Sequence, residues 1–414
     1  MRNCTTKHHK FSILADRIYP VLCARCKGNL LCGRIKCPLL EKFGYLKRVE
    51  IGEGSIEKPT PPSAFIGRIG YPKVYAGPLM AVEGEASFLD SPWLWKGEVS
   101  DVIRLRMSLL RGMKRMEVHA ASNPDRYLSD IQEATASVKP LDLETEVEKV
   151  IRRPVFDDTV QPVGVSARIE NLKLAENPKI PDRVEKVYYD DAKAVEAVKF
   201  LFDHGFSTYY LQKIFSVGMV GETKSRKLVP TRWSITAIHD ILGEEIKKEI
   251  ACFDSVDKVM LFSFEHFGNH FEIILSPGNY SFQLVEIWLK KSFWSPDTTW
   301  IGYDREDISR KKEYSVLSGG YYAARLPVLE YLRKIRRVAS VIVLREIRPE
   351  YYAPLGVWVV EEGVRKAMQG EPEVFETLEQ ALSRAASRLR TERKRWEIHL
   401  KQHHQSSLGR FFEV

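Results

Sequence analysis

Four thiols crowd into fifteen residues of this sequence: Cys23, Cys26, Cys32 and Cys37, in the spacing C-x2-C-x5-C-x4-C. Two cysteines separated by two residues can share one ion from a tight turn, because the turn's backbone amides point at the sulfurs. Four thiolates in one compact loop complete a tetrahedral zinc site. Gly28 and Gly33 give the loop turn freedom, and Lys27, Arg34 and Lys36 offset its negative charge. So short a segment has little core, so the metal is expected to supply much of its folding free energy. Zinc is the expected ion; an iron–sulfur cluster is the rival that the same four ligands suit. Cys4 and Cys252 stand apart, and Cys252, beside apolar residues, is expected in the core.

The other end of the chain carries a second chemistry. Gln405, Leu408, Phe411 and Phe412 follow the pattern Q-x-x-L-x-x-F-F after a polar KQHHQ spacer. One 3₁₀-like turn brings residues three apart onto one side, so Leu408 and Phe411 can enter one apolar pocket with Phe412 beside them. Gln405 can hydrogen-bond at the rim. Burying the three apolar side chains contributes ~5 kcal/mol gross, less the cost of ordering them. The box resembles the peptide that docks onto the sliding clamp of DNA replication (PCNA).

Two stretches in the first half could handle phosphate and bases. In FIGRIGYPKVYAGP, residues 65–78, Arg68 lies between glycines and Gly70-Tyr71-Pro72 forces a turn. This is either a phosphate nest of backbone and Arg or a strand–turn–strand core piece whose glycines serve close packing. In KLVPTRWSITAIHD, residues 227–240, Lys227 and Arg232 could hold phosphate while Trp233 stacks on a base. Trp233 as plain core is the competing reading. No Walker motif, dinucleotide fingerprint or Ser-His-Asp pattern occurs. A metal-dependent nuclease would need converging carboxylates, often with His. His239, Asp240 and Glu265 are the candidate catalytic residues, with His266 and His270 nearby in sequence, though they match no nuclease spacing.

The elements that must position these residues read as an α+β fold, with mixed or antiparallel sheets and flanking helices. Short apolar runs broken by Gly and Pro predict strands and turns from Ala64 to about Pro92. Residues 98–118 read as helical, and 137–164 as a polar helix ending in a Pro-punctuated loop. Residues 190–217 suit one or two helices, the first ended by Gly205. Residues 256–293 alternate like a run of antiparallel strands. Residues 320–350 read as helix then strand, and PLGVWVVEEGVRKAM as strand then helix. A last long helix should start near Thr377, where Thr377 and Gln380 have capping-box spacing. A flexible tail is expected to follow it.

The chain of 414 residues is long enough for two or three domains, and its net charge of +8 suits a polyanion partner without demanding one. No apolar stretch is long enough to span a bilayer, and the N-terminus makes a poor signal peptide. A cytoplasmic protein with no membrane partner is therefore expected.

The cysteine-rich leader, FIGRIGYPKVYAGP, KLVPTRWSITAIHD and the terminal box, in this order, make the chain similar to the archaeal Nre family of DNA repair proteins. The match is to the type that pairs a four-cysteine zinc motif with a C-terminal clamp box. The resemblance implies a basic leader with the zinc motif at 1–47, a large N-terminal region at 48–305, a smaller C-terminal region at 306–400 and a clamp-binding tail at 401–414. It implies Cys23, Cys26, Cys32 and Cys37 as zinc ligands, and Gln405 to Phe412 as the clamp box. It implies a DNA damage repair factor that works on DNA with the sliding clamp. The alternative is a metal-dependent nuclease or DNA-processing enzyme in the same clamp-linked pathway. The resemblance transfers no catalytic residues.

Overall fold

The computed structural model describes Cys26 and residues 28–48, 50–152 and 164–400. They fall into two compact units. One is Leu39–Leu242; the other is Gly243–Val414 with Met1–Pro38, within the described residues. The division falls inside the helix Thr231–Ile250.

The Leu39–Leu242 unit is built on a six-stranded mixed sheet. Its strands are β1 (Gly54–Thr60), β2 (Ala64–Ile66), β3 (Lys73–Ala81), β4 (Leu109–Glu117), β5 (Leu141–Ile151) and β6 (Ser166–Leu174), in the order β1-β5-β6-β4-β3-β2. The β4–β6 pair is parallel and the other neighbours are antiparallel. The helix Arg126–Ala136 packs against β3 and β6, with Asp125 Oδ1 accepting from Leu128 N at 2.9 Å to cap it.

Two helical expectations fail in this unit, for one physical reason. The expected helix over 98–118 stops at Met107, and LLRGMKRME continues as β4. The expected polar helix of 137–164 is β5, in which Leu141, Leu143, Thr145 and Val147 are buried while Glu144, Glu146 and Glu148 are exposed. Glu and Lys are good helix formers, but the period of two lets a strand bury one whole face. The helices Ala194–Asp203 and Thr208–Ser216 form as expected, with Gly205 at φ +89° between them.

The second unit carries another six-stranded mixed sheet. Its strands are β7 (Val259–His266), β8 (Asn269–Ser276), β9 (Ser281–Trp288), β10 (Trp300–Asp307), β11 (Ser340–Ile347) and β12 (Glu373–Phe375), in the order β10-β9-β11-β8-β7-β12. The expected antiparallel run over 256–293 holds for the β7–β8 hairpin only. Strand β11 inserts between β8 and β9, antiparallel to the first and parallel to the second. Every residue of β8 is buried, which a central strand covered on both faces requires. Ile274, Leu344 and Val285 pack with Leu382, Ala385 and Trp396 of the C-terminal helical segments. Phe271, of opposite parity on β8, meets Gly363 of the helix Trp358–Gln369, where an added Cβ would come within 2.2 Å of the ring.

PLGVWVVEEGVRKAM contains no strand; its helix begins at Trp358. The helix capped by Thr377 starts as expected, with Gln380 N donating to Thr377 Oγ1 at 3.2 Å, but it ends at Arg388 and a short helix, Arg393–Glu397, follows. No described helix is long and apolar enough to cross a membrane.

Candidate nucleic-acid interface

The two stretches that sequence singled out for phosphate and base contact meet in the Leu39–Leu242 unit. The loop between β2 and β3 is laced to itself: Gly67 N donates to Tyr75 O at 2.7 Å and Lys73 N to Gly70 O at 2.9 Å. Gly70 has φ +87°, and a Cβ there would lie 2.6 Å from Arg115 Nη1 and 2.8 Å from Lys73 O. Only glycine passes under the Arg115 guanidinium with that backbone conformation. Arg115 Nη1 in turn donates to Lys73 O at 3.0 Å.

The second stretch begins the helix Thr231–Ile250 directly after Pro230, whose carbonyl accepts from Trp233 N at 2.7 Å. Thr231 Oγ1 accepts from Ile66 N at 2.9 Å, tying the helix start to the end of β2. Upstream, Leu228 N donates to Val118 O at 2.8 Å, and Val118 N to Pro72 O at 2.9 Å. The loop, the end of β4 and the helix start are therefore one hydrogen-bonded assembly. On it the rings of Tyr71 and Trp233 touch, with centroids 5.3 Å apart and planes at 52°. Trp233 is not core: it is 46% exposed, Tyr71 is 47% exposed and Ile69 is 78% exposed. Arg68, Lys227 and Arg232 are all exposed.

Sequence reasoning missed the neighbouring groove. It has a volume of about 600 Å³ and is lined by Tyr75, Lys114, Arg115 and Arg168, with Glu148 and Glu170 also present. Arg115 lies over the Tyr75 ring at 4.9 Å, so one side chain serves both loop and groove. Lys114 Nζ is 4.4 Å from the centre of the Tyr127 ring and donates to Glu170 O at 2.9 Å. The signal was the alternation of β4, which the helical reading concealed: basic residues 114 and 115 belong to a strand that pairs with β3 and β6.

The candidate catalytic residues lie in different places: His239 and Asp240 on the helix Thr231–Ile250, and Glu265 on β7. His239 is fully buried in mid-helix, with Nε2 3.1 Å from Gln212 Nε2. Asp240 follows it on the same helix, half-buried. Glu265 belongs to the other unit, on β7, where Arg348 Nη1 donates to it at 2.5 Å and His270 Nδ1 lies at 3.6 Å.

His266 is buried among Phe264, Phe267 and Trp358, and burial, with the Lys366 ammonium adding repulsion, pushes its pKa down from 6.5 to about 3. The folded-state value lies below the unfolded one. The stability carried by the neutral ring is therefore present above pH 6.5 and lost as pH falls toward 3. Going from about pH 7 to about pH 5 is expected to cost ~2 kcal/mol through this group. His266→Phe, matched to the surrounding rings, should flatten that fall in urea unfolding measured across the range. A slope unchanged by the substitution would assign the loss to other groups.

Of the cysteine cluster, Cys26, Cys32 and Cys37 are described and Cys23 lies outside the described residues. Burial alone would raise the Cys26 thiol. The backbone N–H groups of Leu31, Gly28, Cys32 and Leu30 outweigh it and hold the thiol below its ordinary value. The Leu31 N to Cys26 Sγ distance is 3.2 Å, and Gly28, Leu30 and Gly33 take positive φ to wrap the turn. Amides aimed at sulfur favour the thiolate that a metal needs, so this turn fits a metal ligand. Arg34 fixes the segment, donating from Nη2 to Phe293 O at 3.1 Å and covering that ring. Among the described residues, no group of three or more His, Cys, Asp or Glu converges to hold a metal. Cys252 is a correction: it is exposed in the turn just past the helix Thr231–Ile250, with Sγ 3.3 Å from Glu249 O. The box residues Gln405, Leu408, Phe411 and Phe412 lie outside the described residues.

Two family models match the chain. The model for the archaeal Nre N-terminal region matches residues 31–295 and that for the archaeal Nre C-terminal region matches 306–411. A protein of Archaeoglobus fulgidus called "DNA repair protein NreA" is 62% identical over 392 residues, 95% of this chain and 99% of that one. A second from that organism, "DNA repair protein NreB", is 38% identical over 87% of this chain and 91% of its own length. "DNA repair protein NreA" of Haloferax volcanii is 36% identical over 78% of this chain and 80% of its own. No solved structure matches.

Proposed function

Because this chain belongs to the archaeal Nre family, we propose that it is a DNA repair factor that binds DNA and is held at the sliding clamp by its C-terminal box. The repair role is supported by relatives alike over nearly the whole chain, each called a DNA repair protein. The observation that carries DNA contact is the meeting of the exposed Tyr71 and Trp233, 5.3 Å apart, in segments that also carry the exposed Arg68, Lys227 and Arg232. Cations of this kind hold the sugar–phosphate backbone and set register, while rings engage bases. The chain's net charge of +8 favours approach to the polyanion.

The clamp tether rests on Gln405, Leu408, Phe411 and Phe412. A tether of this type raises local concentration at DNA without any new contact to it. Cys23, Cys26, Cys32 and Cys37 are the residues that would hold zinc, which would cross-link a segment too short to fold on its own core. The nuclease alternative gains no support from His239 and Glu265, whose near neighbours are Gln212 and Arg348.

Salt dependence tests the DNA reading. If the exposed arginines contact phosphates, log affinity for duplex DNA should fall against log salt with a slope of about −3 or steeper. Arg68→Ala and Arg232→Ala should each flatten that slope by about 1 and weaken binding evenly across sequences. A flat response in the unaltered protein would rule out phosphate-led binding.

A further inference from the structure

We propose that the Tyr71–Trp233 pair is a stacking platform for an unpaired base, so that the protein prefers DNA with a single-stranded arm or gap over intact duplex. This rests on the DNA-binding reading above and makes it specific. Three apolar tips, Ile69, Tyr71 and Trp233, stand 78%, 47% and 46% exposed on one hydrogen-bonded assembly. Such exposure is a standing cost in water that a ligand's face would relieve. It is also fixed exposure. The bonds from Gly67 N to Tyr75 O, from Lys73 N to Gly70 O and from Ile66 N to Thr231 Oγ1 hold both ring-bearing segments before any ligand arrives. A platform already in place loses little conformational freedom on binding.

The chemistry around the rings selects a nucleic acid strand over an apolar partner. Arg68 lies one residue before Ile69, and Arg232 one residue before Trp233, both exposed. Arg115 joins the loop, through Lys73 O, to the groove that Lys114 and Arg168 line. Exposed cations in the same segments as exposed rings are what a strand of alternating phosphates and bases requires.

The base must be unpaired for a geometric reason. Within a duplex each base face is covered by its neighbours, and only edges show in the grooves. The two rings already touch at 5.3 Å, so a base stacks on the pair rather than entering between the rings. Stacking of this kind tolerates any base, because each has a π-face.

The test compares a blunt DNA duplex with the same duplex carrying a single-stranded arm, by fluorescence anisotropy on the full chain. The unaltered protein is expected to bind the armed DNA more tightly. Trp233→Ala should cost about tenfold on the armed DNA and far less on the blunt one, within the range seen for loss of one base–aromatic stack. Tyr71→Ala should act in the same direction, and Trp233→Phe should restore the preference, which a folding defect would not allow. Arg115→Ala should instead weaken both DNAs alike. Equal losses on the two DNAs from Trp233→Ala, or no loss on either, would overturn the platform while leaving phosphate-led binding intact. Failure of the unaltered protein to bind any DNA would overturn the platform and the DNA reading together.

Discussion

Gly77→Ala is expected to destabilise the Leu39–Leu242 unit by ~3 kcal/mol or more, although it adds a single methyl group. Gly77 lies in β3, and an ideal Cβ there would sit 2.3 Å from Gly112 O and 2.5 Å from Gly112 C on β4. Both atoms are backbone, so no side-chain rotation relieves the clash and the strands must separate. The approach is close on the other side as well: a Cβ on Gly112 would meet Ile169 Cδ1 at 2.7 Å and Pro78 Cδ at 3.0 Å. The paired register accordingly skips from Ala76↔Lys114 to Leu79↔Arg111, passing over Gly77 and Pro78. Spreading β3 from β4 also displaces Tyr75 from Arg115, so DNA affinity should fall with stability. Gly44 is the control, because it lies in the helix Pro38–Arg48 with nothing within 4 Å of an added Cβ. Gly44→Ala should be neutral or stabilising by ~0.5 kcal/mol. The measurement is urea unfolding of both variants; a loss below ~1 kcal/mol at Gly77 would refute the close approach.

That glycine shows how much the sequence discloses. FIGRIGYPKVYAGP carried two readings, a phosphate nest and a close-packed strand–turn–strand, and its glycines do two different things along the segment. Gly77 serves close packing, while Gly70 bends the loop beneath Arg115 and leaves Ile69 and Tyr71 exposed. Local signals with a mechanism were legible: the Thr377–Gln380 capping box, the turn at Gly205, and the helix then strand of 320–350. What failed was arbitration between propensity and period in Glu- and Arg-rich segments, which hid β4 and β5 and with them the groove. Strand order failed for a different reason. Placing β11 between β8 and β9 is a long-range pairing with no local mark, since β8 and β9 are themselves separated by a turn of the hairpin kind.

The interface follows the same division. Residue types on a loop and a helix start told which side chains could bind phosphate and stack on bases, but not that the loop and the helix start meet through Tyr71 and Trp233. Thr231 is the instructive case. As a residue of KLVPTRW it looks like an ordinary helix-start threonine, yet its hydroxyl is spent on Ile66 N, more than 160 residues away in the chain. With the bonds from Leu228 N to Val118 O and from Val118 N to Pro72 O, it holds the helix start beside the loop that carries Tyr71. Nor does the sequence show that the neighbours of His239 and Glu265 are Gln212 and Arg348.

The double substitution Phe411→Ala/Phe412→Ala is expected to abolish capture by the sliding clamp, with affinity falling by more than about 100-fold. Each aromatic ring contributes ~1.5–3 kcal/mol when fully buried, so two together account for most of what a four-anchor box can offer. Leu408 and Gln405 alone would leave too little to offset the cost of ordering the segment. The measurement is a pull-down of the clamp with the unaltered chain and the variant, followed by titration calorimetry of each. Equal recovery would refute the tether. The loss should be confined to the clamp: the rings sit beyond Leu400, and the proposed DNA contacts from Arg68 to Trp233 belong to the Leu39–Leu242 unit. The proposed function thus predicts two separable affinities, one salt-sensitive for DNA and one apolar for the clamp. Linking them makes the second binding event intramolecular, so the variant should lose clamp-dependent retention on DNA far out of proportion to any change in its own DNA affinity.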